Sequence, residues 1–332
     1  MLLTITTNPS IDLVYKTGSF DLGTTNRELE HYQTIGGKGI NAARVASILS
    51  EDKQAVAATG FLGRENANQI AHDLAQYNVK DEMIRVSGAT RFCYTIIDNS
   101  GVKTELNELG QSISATKAEE LLGQVSRHHN LKGVSINGSL AKDLSDDFYI
   151  RLIEQIRINN PDAKIILDTS GAALDSVLSS SAPPDYIKPN NDELGELLGI
   201  VVPEEDDAVL HALQQPIFQN IPNILVSMGS QGGIAKLGVD VPQYFKLKIS
   251  QQKAVNTEGS GDATVGGMLY MHAVAKGKQG LDVIRYGMAA GMANVLQSKT
   301  GFVEKNAFLR FVTSGEAVIA QPIQAIPILG EN

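Results

Sequence analysis

The sequence predicts an α/β protein built on a mostly parallel central sheet. The first observation behind this prediction is that short apolar runs alternate with longer segments of helical period along most of the 332 residues. The second is that most of the apolar runs end in Gly, Asn, Asp or Ser, residues that favour turns. Such alternation is typical of a parallel sheet with helices on both faces.

Six apolar runs are predicted to be strands, and the stretches between them are predicted to be helices. The strands are predicted at residues 2–7, 54–63, 131–139, 163–170, 185–190 and 223–229. The helices are predicted at residues 39–50, 64–77, 115–129, 144–158, 190–199 and 204–219. Ligands of open α/β sheets bind at the carboxyl ends of the strands, so the polar residues that end these runs are candidate site residues.

Two regions interrupt this alternation. Residues 11–35 and 82–112 show the period-two pattern of short strands, and the DNSG segment in the second region fits a hairpin turn. We expect the two regions to form a small discontinuous sheet that serves as a lid over a cleft. The main domain would then comprise residues 1–10, 36–81 and 113–332. The alternative is that both regions simply extend the central sheet.

Composition narrows the class of protein. The chain has 37 acidic and 28 basic residues, a net charge of −9, which argues against nucleic-acid and membrane partners. A few local basic side chains could still bind an anionic small substrate. Cys93 is the single cysteine, and the N-terminus resembles no signal peptide, so we expect a cytoplasmic protein. The sequence contains no Gly-x-Ser-x-Gly hydrolase motif and no His-Glu-x-x-His motif.

The GSGD segment at residues 259–262 is a candidate anion site. It precedes a stretch of small and apolar residues that reads as a helix, and neither a P-loop nor a Rossmann fingerprint is present. Free amides at a helix N-terminus, together with the helix dipole, attract anions, and glycines allow a bulky anion to approach. Asp262 has two possible roles here: it caps the helix, or it is a general base beside a transferred phosphoryl group.

Two further segments carry candidate ligands. In GGKGIN, at residues 36–41, Lys38 and Asn41 follow paired glycines at a helix start. They indicate either a substrate clamp or an ordinary strand-to-helix turn with an exposed lysine. In KPNNDE, Asn190 and Glu193 share one helix face. This pair either holds Mg²⁺ through its water shell or forms a capping box, and the two roles are compatible.

Together, in this order and spacing, the three segments resemble the ribokinase-like (PfkB) family of carbohydrate kinases. The resemblance extends from NPSID near the N-terminus to SKTGFVEKN near the C-terminus. The segments NPSID, TNRE, GGKGIN, TELNELG and GSGDATVGG look most like the branch that phosphorylates ketohexose monophosphates, which includes tagatose-6-phosphate kinase and 1-phosphofructokinase. The co-occurrence of the two glycine motifs is more specific than either motif alone.

The resemblance implies a three-layer α/β/α domain with a small β lid, ATP and Mg²⁺ as cofactors, and a sugar phosphate as substrate. Asp262 would be the general base, and the amides of Gly259, Ser260, Gly261 and Asp262 would bind the γ-phosphoryl group. The implied substrate-binding residues are Asp12, Arg27, Gly36, Gly37, Lys38, Asn41, Arg91 and Ser139. Of these, Arg27, Lys38 and Arg91 would contact the phosphate already on the sugar. The implied nucleotide contacts are Lys188, Ser227, Gly229, Gly232 and Asn294. Asn190 and Glu193 would organise Mg²⁺.

Three departures from the family pattern leave the identity of the sugar open. Cys93 stands where the phosphosugar branch often has Asn, Glu258 stands where an apolar residue or Pro is usual, and two expected prolines are missing. The alternatives are a kinase of an unphosphorylated sugar or nucleoside, and a catalytically silent regulator that binds sugar or nucleotide. Because an exposed sheet edge or face invites association, we also expect a homodimer formed through the lid.

Overall fold

The computed structural model describes residues 1–50, 52, 55–274, 280–315 and 317–326. Its strands are β1 Leu2–Thr6, β2 Ser10–Thr17, β3 Glu28–Gly36, β4 Val56–Gly63, β5 Lys80–Val86, β6 Arg91–Ile97, β7 Lys103–Asn107, β8 Gly133–Asn137, β9 Lys164–Asp168, β10 Tyr186–Ile187, β11 Asn223–Ser227, β12 Gly233–Leu237, β13 Gln243–Ile249 and β14 Val318–Ile323. Its helices are α1 Lys38–Leu49, α2 Ala67–Gln76, α3 Ala115–Ser126, α4 Phe148–Asn159, α5 Gly171–Leu178, α6 Asn191–Leu198, α7 Asp206–Leu213, α8 Ser260–Val274, α9 Leu281–Val295 and α10 Lys305–Thr313.

The main sheet has ten strands in the order β14-β13-β12-β11-β10-β9-β8-β1-β4-β5. All pairs from β11 to β5 are parallel, and β12, β13 and β14 extend one edge in antiparallel pairs. The predicted class, α/β with a mostly parallel central sheet, is therefore confirmed. The antiparallel extension was not predicted.

Helices cover both faces of the main sheet. Leu3 and Ile5 of β1 pack into one core with α3, α4 and α5, whereas Leu2 packs into a second core with α1, α8 and α9. Successive side chains of a strand point to opposite faces, so these buried positions in one strand show that both faces are covered. None of the helices in the described ranges is both long enough and apolar enough to cross a bilayer.

A second, four-stranded sheet has the order β3-β2-β6-β7. It takes its strands from the two regions predicted to form it, with one correction. Residues 82–86 were assigned to the lid, but they lie in β5, the edge strand of the main sheet, where they pair with β4. The first residue of β2, Ser10, also belongs to the second sheet rather than to the main domain.

Most predicted helices occur near their expected positions, and one is shorter than predicted. The helix predicted over 204–219 is α7, which ends at Leu213 and is followed by a 3₁₀ turn at Pro216–Phe218. Proline fixes its own φ and lacks an amide hydrogen, so it starts the new turn instead of continuing the helix. The small-residue stretch after GSGD forms α8, as expected.

The candidate site lies where two helices begin near the carboxyl edge of the parallel strands. Helix α1 packs directly on α8, and a Cβ at Gly266 would come within 2.7 Å of both Ala42 O and Val45 Cβ. This close packing brings the N-terminal turn of α1, with Lys38 and Asn41, next to the N-terminal turn of α8.

Candidate active site

A cleft of about 1220 Å³ lies between the main sheet and the second sheet. Asp12 and Cys93 line it from the second sheet, Lys38 and Asn41 line it from α1, and Asp262 lines it from α8. The structure therefore brings together side chains that lie up to 250 positions apart in the sequence. The two glycine motifs meet in this cleft.

The predicted anion-binding segment, residues 259–262, forms the start of α8. Gly259, with φ of 74°, precedes the helix, and Asp262 lies in its first turn. The first amides of a helix lack partners within the helix, and the dipole adds positive potential there. The amide of Ser260 already donates to the Thr257 carbonyl at 3.3 Å. The amides of Gly261 and Asp262 are therefore the ones that the helix geometry directs toward an anion.

The surroundings of Asp262 raise the pKa of its carboxyl group. Burial raises its pKa to about 6, while the positive charge of Lys38 and a hydrogen bond from Asn41 oppose that rise. Asn41 Nδ2 donates to Asp262 Oδ2 at 2.8 Å. A carboxylate with a pKa near 6 is ionised at neutral pH and is more basic than an ordinary aspartate. It can therefore accept a proton from a hydroxyl.

A charge cluster of two lysines and two carboxylates lies beside Asp262. Lys38 Nζ is 3.3 Å from Glu193 Oε1 and 3.7 Å from Asp168 Oδ1, and Lys188 Nζ is 3.3 Å from the same Asp168 oxygen. The pKa of Lys38 is raised, chiefly by Asp168. Asp168 ends β9 and is 1% exposed. Within the described part of the chain, neither of its carboxylate oxygens accepts a hydrogen bond.

Asn190 and Glu193 form the capping box that was one of their two predicted roles. Glu193 N donates to Asn190 Oδ1 at 2.7 Å, and Asn190 N donates to Glu193 Oε2 at 3.0 Å. These bonds begin α6 and leave Glu193 Oε1 facing Lys38. The capping box is therefore present, and Glu193 retains one oxygen on the side of the charge cluster.

The residues present fit a hydrated divalent cation. The described residues contain no cluster of three or more metal-ligating side chains. Mg²⁺ in phosphoryl-transfer sites usually keeps several waters and binds one or two carboxylates together with substrate phosphates. Asp168, with two buried oxygens that accept no hydrogen bond, and Glu193, whose Oε1 accepts from Lys38, are such carboxylates.

The side of the cleft formed by the second sheet presents a carboxylate and a guanidinium group. Ser10 Oγ donates to Asp12 Oδ1 at 2.7 Å, and burial raises the pKa of Asp12. A Cβ at Gly36 would overlap the Asp12 carboxylate, so only glycine leaves room for it. Arg91 donates to the carbonyls of Glu108, at 3.0 Å, and Asn8, at 3.2 Å.

An ion pair links the second sheet to the loop before α8. Lys103 of β7 contacts Glu258, the residue that precedes Gly259. Both side chains line the cleft and are about half exposed. Glu258, which departs from the family pattern, thus has a partner on the second sheet.

The predicted nucleotide contacts do not all lie together in the structure. Lys188 is 5% exposed, and its ammonium group lies under Gly261 and beside Asp168, on the phosphoryl side of the site. Ser227 ends β11, and Gly229 and Gly232 bound a 3₁₀ turn that follows it.

Asn294 is fully buried and bonds to two loops. Its Nδ2 donates to the Glu258 carbonyl at 3.1 Å, and its Oδ1 accepts from Phe302 N at 3.2 Å. It therefore supports the loop before α8 rather than facing open space.

Gly36 does not line the cleft but packs against the Asp12 carboxylate, and two other predicted substrate residues are not brought into the cleft at all. Arg27 is exposed in the segment before β3 and is not among the residues that line the cleft. Ser139 is exposed after β8, where its carbonyl accepts from Thr7 Oγ1 at 3.1 Å and its hydroxyl accepts from Asn8 Nδ2 at 3.4 Å. Both therefore stay predictions.

Sequence reasoning missed Asp168 and Lys103 of the site, and also Arg44, a buried residue of α1 that donates to Asn41 Oδ1 at 2.8 Å. Asp168 had a usable signal, since it ends an apolar run at the carboxyl edge of the sheet. No sequence signal pointed to Lys103 or Arg44. Lys103 follows a hairpin turn like many surface lysines, and Arg44 lies within a helix in which arginine usually faces solvent.

Amides at a helix N-terminus, a carboxylate beside them and two lysines nearby are the groups that an α/β phosphotransferase acting on a hydroxyl group requires. Comparison with known protein families identifies the family of phosphotransferases to which the chain belongs. Residues 5–306 match the family described as pfkB family carbohydrate kinase. The chain belongs to this family and is a carbohydrate kinase.

Individual proteins similar to the chain agree with this assignment. A tagatose-6-phosphate kinase of Staphylococcus epidermidis is 35% identical over 309 residues, covering 93% of this chain and 96% of that protein. The crystal structure of a putative phosphofructokinase from Staphylococcus aureus covers 98% of this chain and 100% of its own, with 28% identity and a TM-score of 0.74. Phosphofructokinase-2 from Escherichia coli covers 94% of this chain and 98% of its own, with 23% identity and a TM-score of 0.80, and supports the fold alone.

Proposed function

We propose that the protein transfers the γ-phosphoryl group of ATP to a hydroxyl of a ketohexose monophosphate, giving the bisphosphate. The observation that carries this proposal is the position of Asp262 in the cleft, at the first turn of α8 and hydrogen-bonded to Asn41. The choice of a phosphorylated sugar is supported by the 35% identity to a tagatose-6-phosphate kinase and by basic side chains that line the cleft. These basic residues are Lys16, Lys38, Arg91, Lys103 and Lys299.

The cleft residues Asp12, Lys38 and Asp262 and the adjoining residues Asp168, Lys188 and Glu193 each have a role in this proposed reaction. Asp262 takes the proton from the acceptor hydroxyl as the oxygen attacks phosphorus. The first amides of α8 hold the transferred group, and Lys188 and Lys38 offset its negative charge. Mg²⁺, held by Asp168 and Glu193 together with the nucleotide phosphates, would neutralise the phosphate charge. Asp12 would bind the sugar hydroxyls from the second sheet.

A kinase of an unphosphorylated sugar is the second candidate, because specific observations favour it. Arg27 lies outside the cleft, and the guanidinium group of Arg91 already bonds to two backbone carbonyls. Two of the three predicted contacts to a sugar phosphate are thus absent from the cleft or already bonded. Lys38 is the third, and it lies within the carboxylate cluster.

An ADP-release assay over a panel of acceptors separates these candidates. The panel contains tagatose 6-phosphate, fructose 1-phosphate, fructose 6-phosphate and the free hexoses. We expect kcat/KM to be highest for one of the phosphorylated ketohexoses. A free hexose as the best substrate would support the second candidate, and no ADP release with any acceptor would contradict both.

The second sheet also supports the proposed homodimer. Alternate residues of its strands face the cleft, so the intervening residues lie on the opposite face. That outer face is largely apolar and includes Leu13, Tyr15, Leu29, Tyr94, Ile96 and Leu106. Leu29 and Leu106 are 70% and 67% exposed. We expect analytical ultracentrifugation to give a dimer that Leu106→Glu converts to a monomer, and a wild-type monomer at micromolar concentration would contradict the proposal.

A further inference from the structure

One buried arginine connects the catalytic carboxylate to several parts of the fold. Arg44 is 1% exposed, and it lies three residues after Asn41, on the same face of α1. Arg44 Nη1 donates to Asn41 Oδ1 at 2.8 Å, and Asn41 Nδ2 in turn donates to Asp262 Oδ2. Arg44 thus lies one residue away from the proposed base.

The chemistry of these groups determines which way the Asn41 amide points. A guanidinium group has only hydrogen-bond donors, so it can pair only with the amide oxygen. An ionised carboxylate has only acceptors, so it can pair only with the amide nitrogen. With Arg44 in place, only one of the two amide orientations satisfies both neighbours, and that orientation directs N–H at Asp262.

Arg44 itself is held by bonds that use all five of its N–H groups. Nε and Nη2 donate to Asp73 Oδ2 at 3.1 and 2.6 Å, and Nη2 also donates to the Ile35 carbonyl at 3.2 Å. Besides Asn41, Nη1 donates to the Thr300 carbonyl at 3.0 Å. Lysine has three donors without the planar arrangement and cannot replace this set.

These partners come from separate elements that surround the cleft. Ile35 lies near the end of β3 in the second sheet, Asp73 lies in α2, and Thr300 lies in the loop after α9. The loop approaches so closely that a Cβ at Gly301, where φ is 59°, would overlap the Asn41 side chain. Rotation of the Asn41 amide would therefore require Arg44 to lose a bond while its other partners stay fixed.

We propose that Arg44 is a positioning residue for phosphoryl transfer, which holds the Asn41 amide in the orientation that donates to Asp262. This inference rests on the proposed function of Asp262 as the base. Without Arg44, the amide can turn its oxygen toward Asp262, where it accepts a hydrogen bond from the protonated carboxyl group. The protonated form of Asp262 then becomes more stable relative to the ionised form.

The remaining charged groups near Asp262 do not contact Arg44 directly. Those groups are Lys38 on α1, Asp168 at the end of β9 and Lys188 after β10, and all three influence the pKa of Asp262. Substitution of Arg44 leaves them in place. A change in the titration of Asp262 that depends on Asn41 therefore reports the amide orientation.

The test is a ¹³C NMR titration of the Asp262 carboxyl group in the ligand-free protein, with the signal assigned by its loss in Asp262→Asn. We expect Arg44→Lys to raise the pH midpoint of the Asp262 titration by about one unit or more, the size of one hydrogen bond to a charged group. In an Asn41→Leu background, the same substitution should produce no further shift. Since no substrate is present, this result is independent of whether the protein is a kinase.

Arg157→Lys is the matched control, because Arg157 also pairs with a largely buried aspartate, Asp185, through a bond that does not involve the cleft. It should leave the Asp262 midpoint unchanged. If Arg44→Lys does not fold, Asp73→Asn serves as the second variant. It keeps Arg44 but weakens the bonds that hold the guanidinium group in place, and it should also raise the midpoint of the Asp262 titration. Equal shifts in Arg157→Lys, or an unchanged midpoint in the folded Arg44 or Asp73 variant, would overturn the proposal.

Activity gives a second readout that a purely structural role would not produce. We expect Arg44→Lys to lower kcat roughly tenfold at pH 6, with a smaller loss at pH 8, where the carboxyl is ionised in both chains. The KM for ATP should stay within about twofold. A loss that is the same at both pH values in a folded variant would argue for a structural role and against positioning.

Discussion

The charged side chains on the two sides of the site are held in different ways. We call the main-domain side the floor, and it comprises Lys38, Asn41, Asp168, Lys188, Asn190, Glu193 and Asp262. On the floor, Asp262 and Asp168 are held among several charged or hydrogen-bonding neighbours within the packed domain. On the second sheet, Lys103 and Lys16 are about half exposed, and each pairs with one carboxylate. The difference indicates that the floor holds the reacting groups more firmly than the second sheet holds its exposed, singly paired lysines.

The largest difference between the two regions should appear on substitution of the base. We expect Asp262→Asn to lower kcat by roughly 10²- to 10⁴-fold, the range for loss of a general base. Steady-state ADP release with the best sugar substrate measures this decrease.

Asp12→Asn is the comparison on the second sheet, because it changes the same functional group in a binding role. We expect it to raise KM more than it lowers kcat, and the reverse pattern would exchange the roles assigned to these residues.

The capping box on the floor should contribute to stability without a metal. We expect Asn190→Ala to lower the free energy of unfolding by about 1 kcal/mol, because α6 loses its N-cap, while Asn190→Ser retains most of it. Urea denaturation in EDTA measures both variants. If Ala and Ser were equally destabilising, or if either effect required Mg²⁺, the capping box would not be the main role of Asn190.

The ion pair between Lys103 and Glu258 should have a smaller effect. Both side chains are about half exposed, so the pair should contribute no more than about 1 kcal/mol. We expect Lys103→Gln to raise the KM for the sugar about two- to fivefold at low salt and less in 0.5 M NaCl. The exchange of charges in Lys103→Glu with Glu258→Lys should restore the wild-type KM.

Lys16 and Glu30 provide the matched control for that experiment. They form an ion pair within the second sheet, at 2.9 Å, that links the sheet to no other element. Lys16→Gln should leave the salt dependence of KM unchanged. The same salt dependence in both single variants would show that the Lys103 effect comes from general charge in the cleft and not from the link to the loop before α8.

The sequence was most informative where the chemistry follows from short segments. The GSGD and GGKGIN motifs predicted two helix starts, and the structure brings Asn41 and Asp262 of these motifs into contact. The assignment of residues 82–86 to the lid was wrong for a physical reason. β5 is an edge strand with exposed and buried positions mixed, so its pattern resembles that of a strand in a small half-exposed sheet.

Other features could not be predicted from local patterns. β12, β13 and β14 form antiparallel pairs whose partners are set by the tertiary fold, and β14 comes from the far end of the chain. The role of Arg44 depends on contacts with residues 29 and 256 positions away. A single sequence contains no signal for such pairings, because an arginine that forms a buried network and one that faces solvent look the same in a helix.

The pH dependence of kcat/KM tests the central claim most directly, because it reports the protonation of the base in the unaltered protein. Burial raises the pKa of Asp262 to about 6, so its basic form predominates above that pH and is lost below it. We expect wild-type kcat/KM to fall about tenfold per pH unit below about pH 6, and the residual activity of Asp262→Asn to lack this contribution. Any ionisation of the substrate affects both proteins equally. The same acidic limb in both would contradict the assignment of Asp262 as the general base.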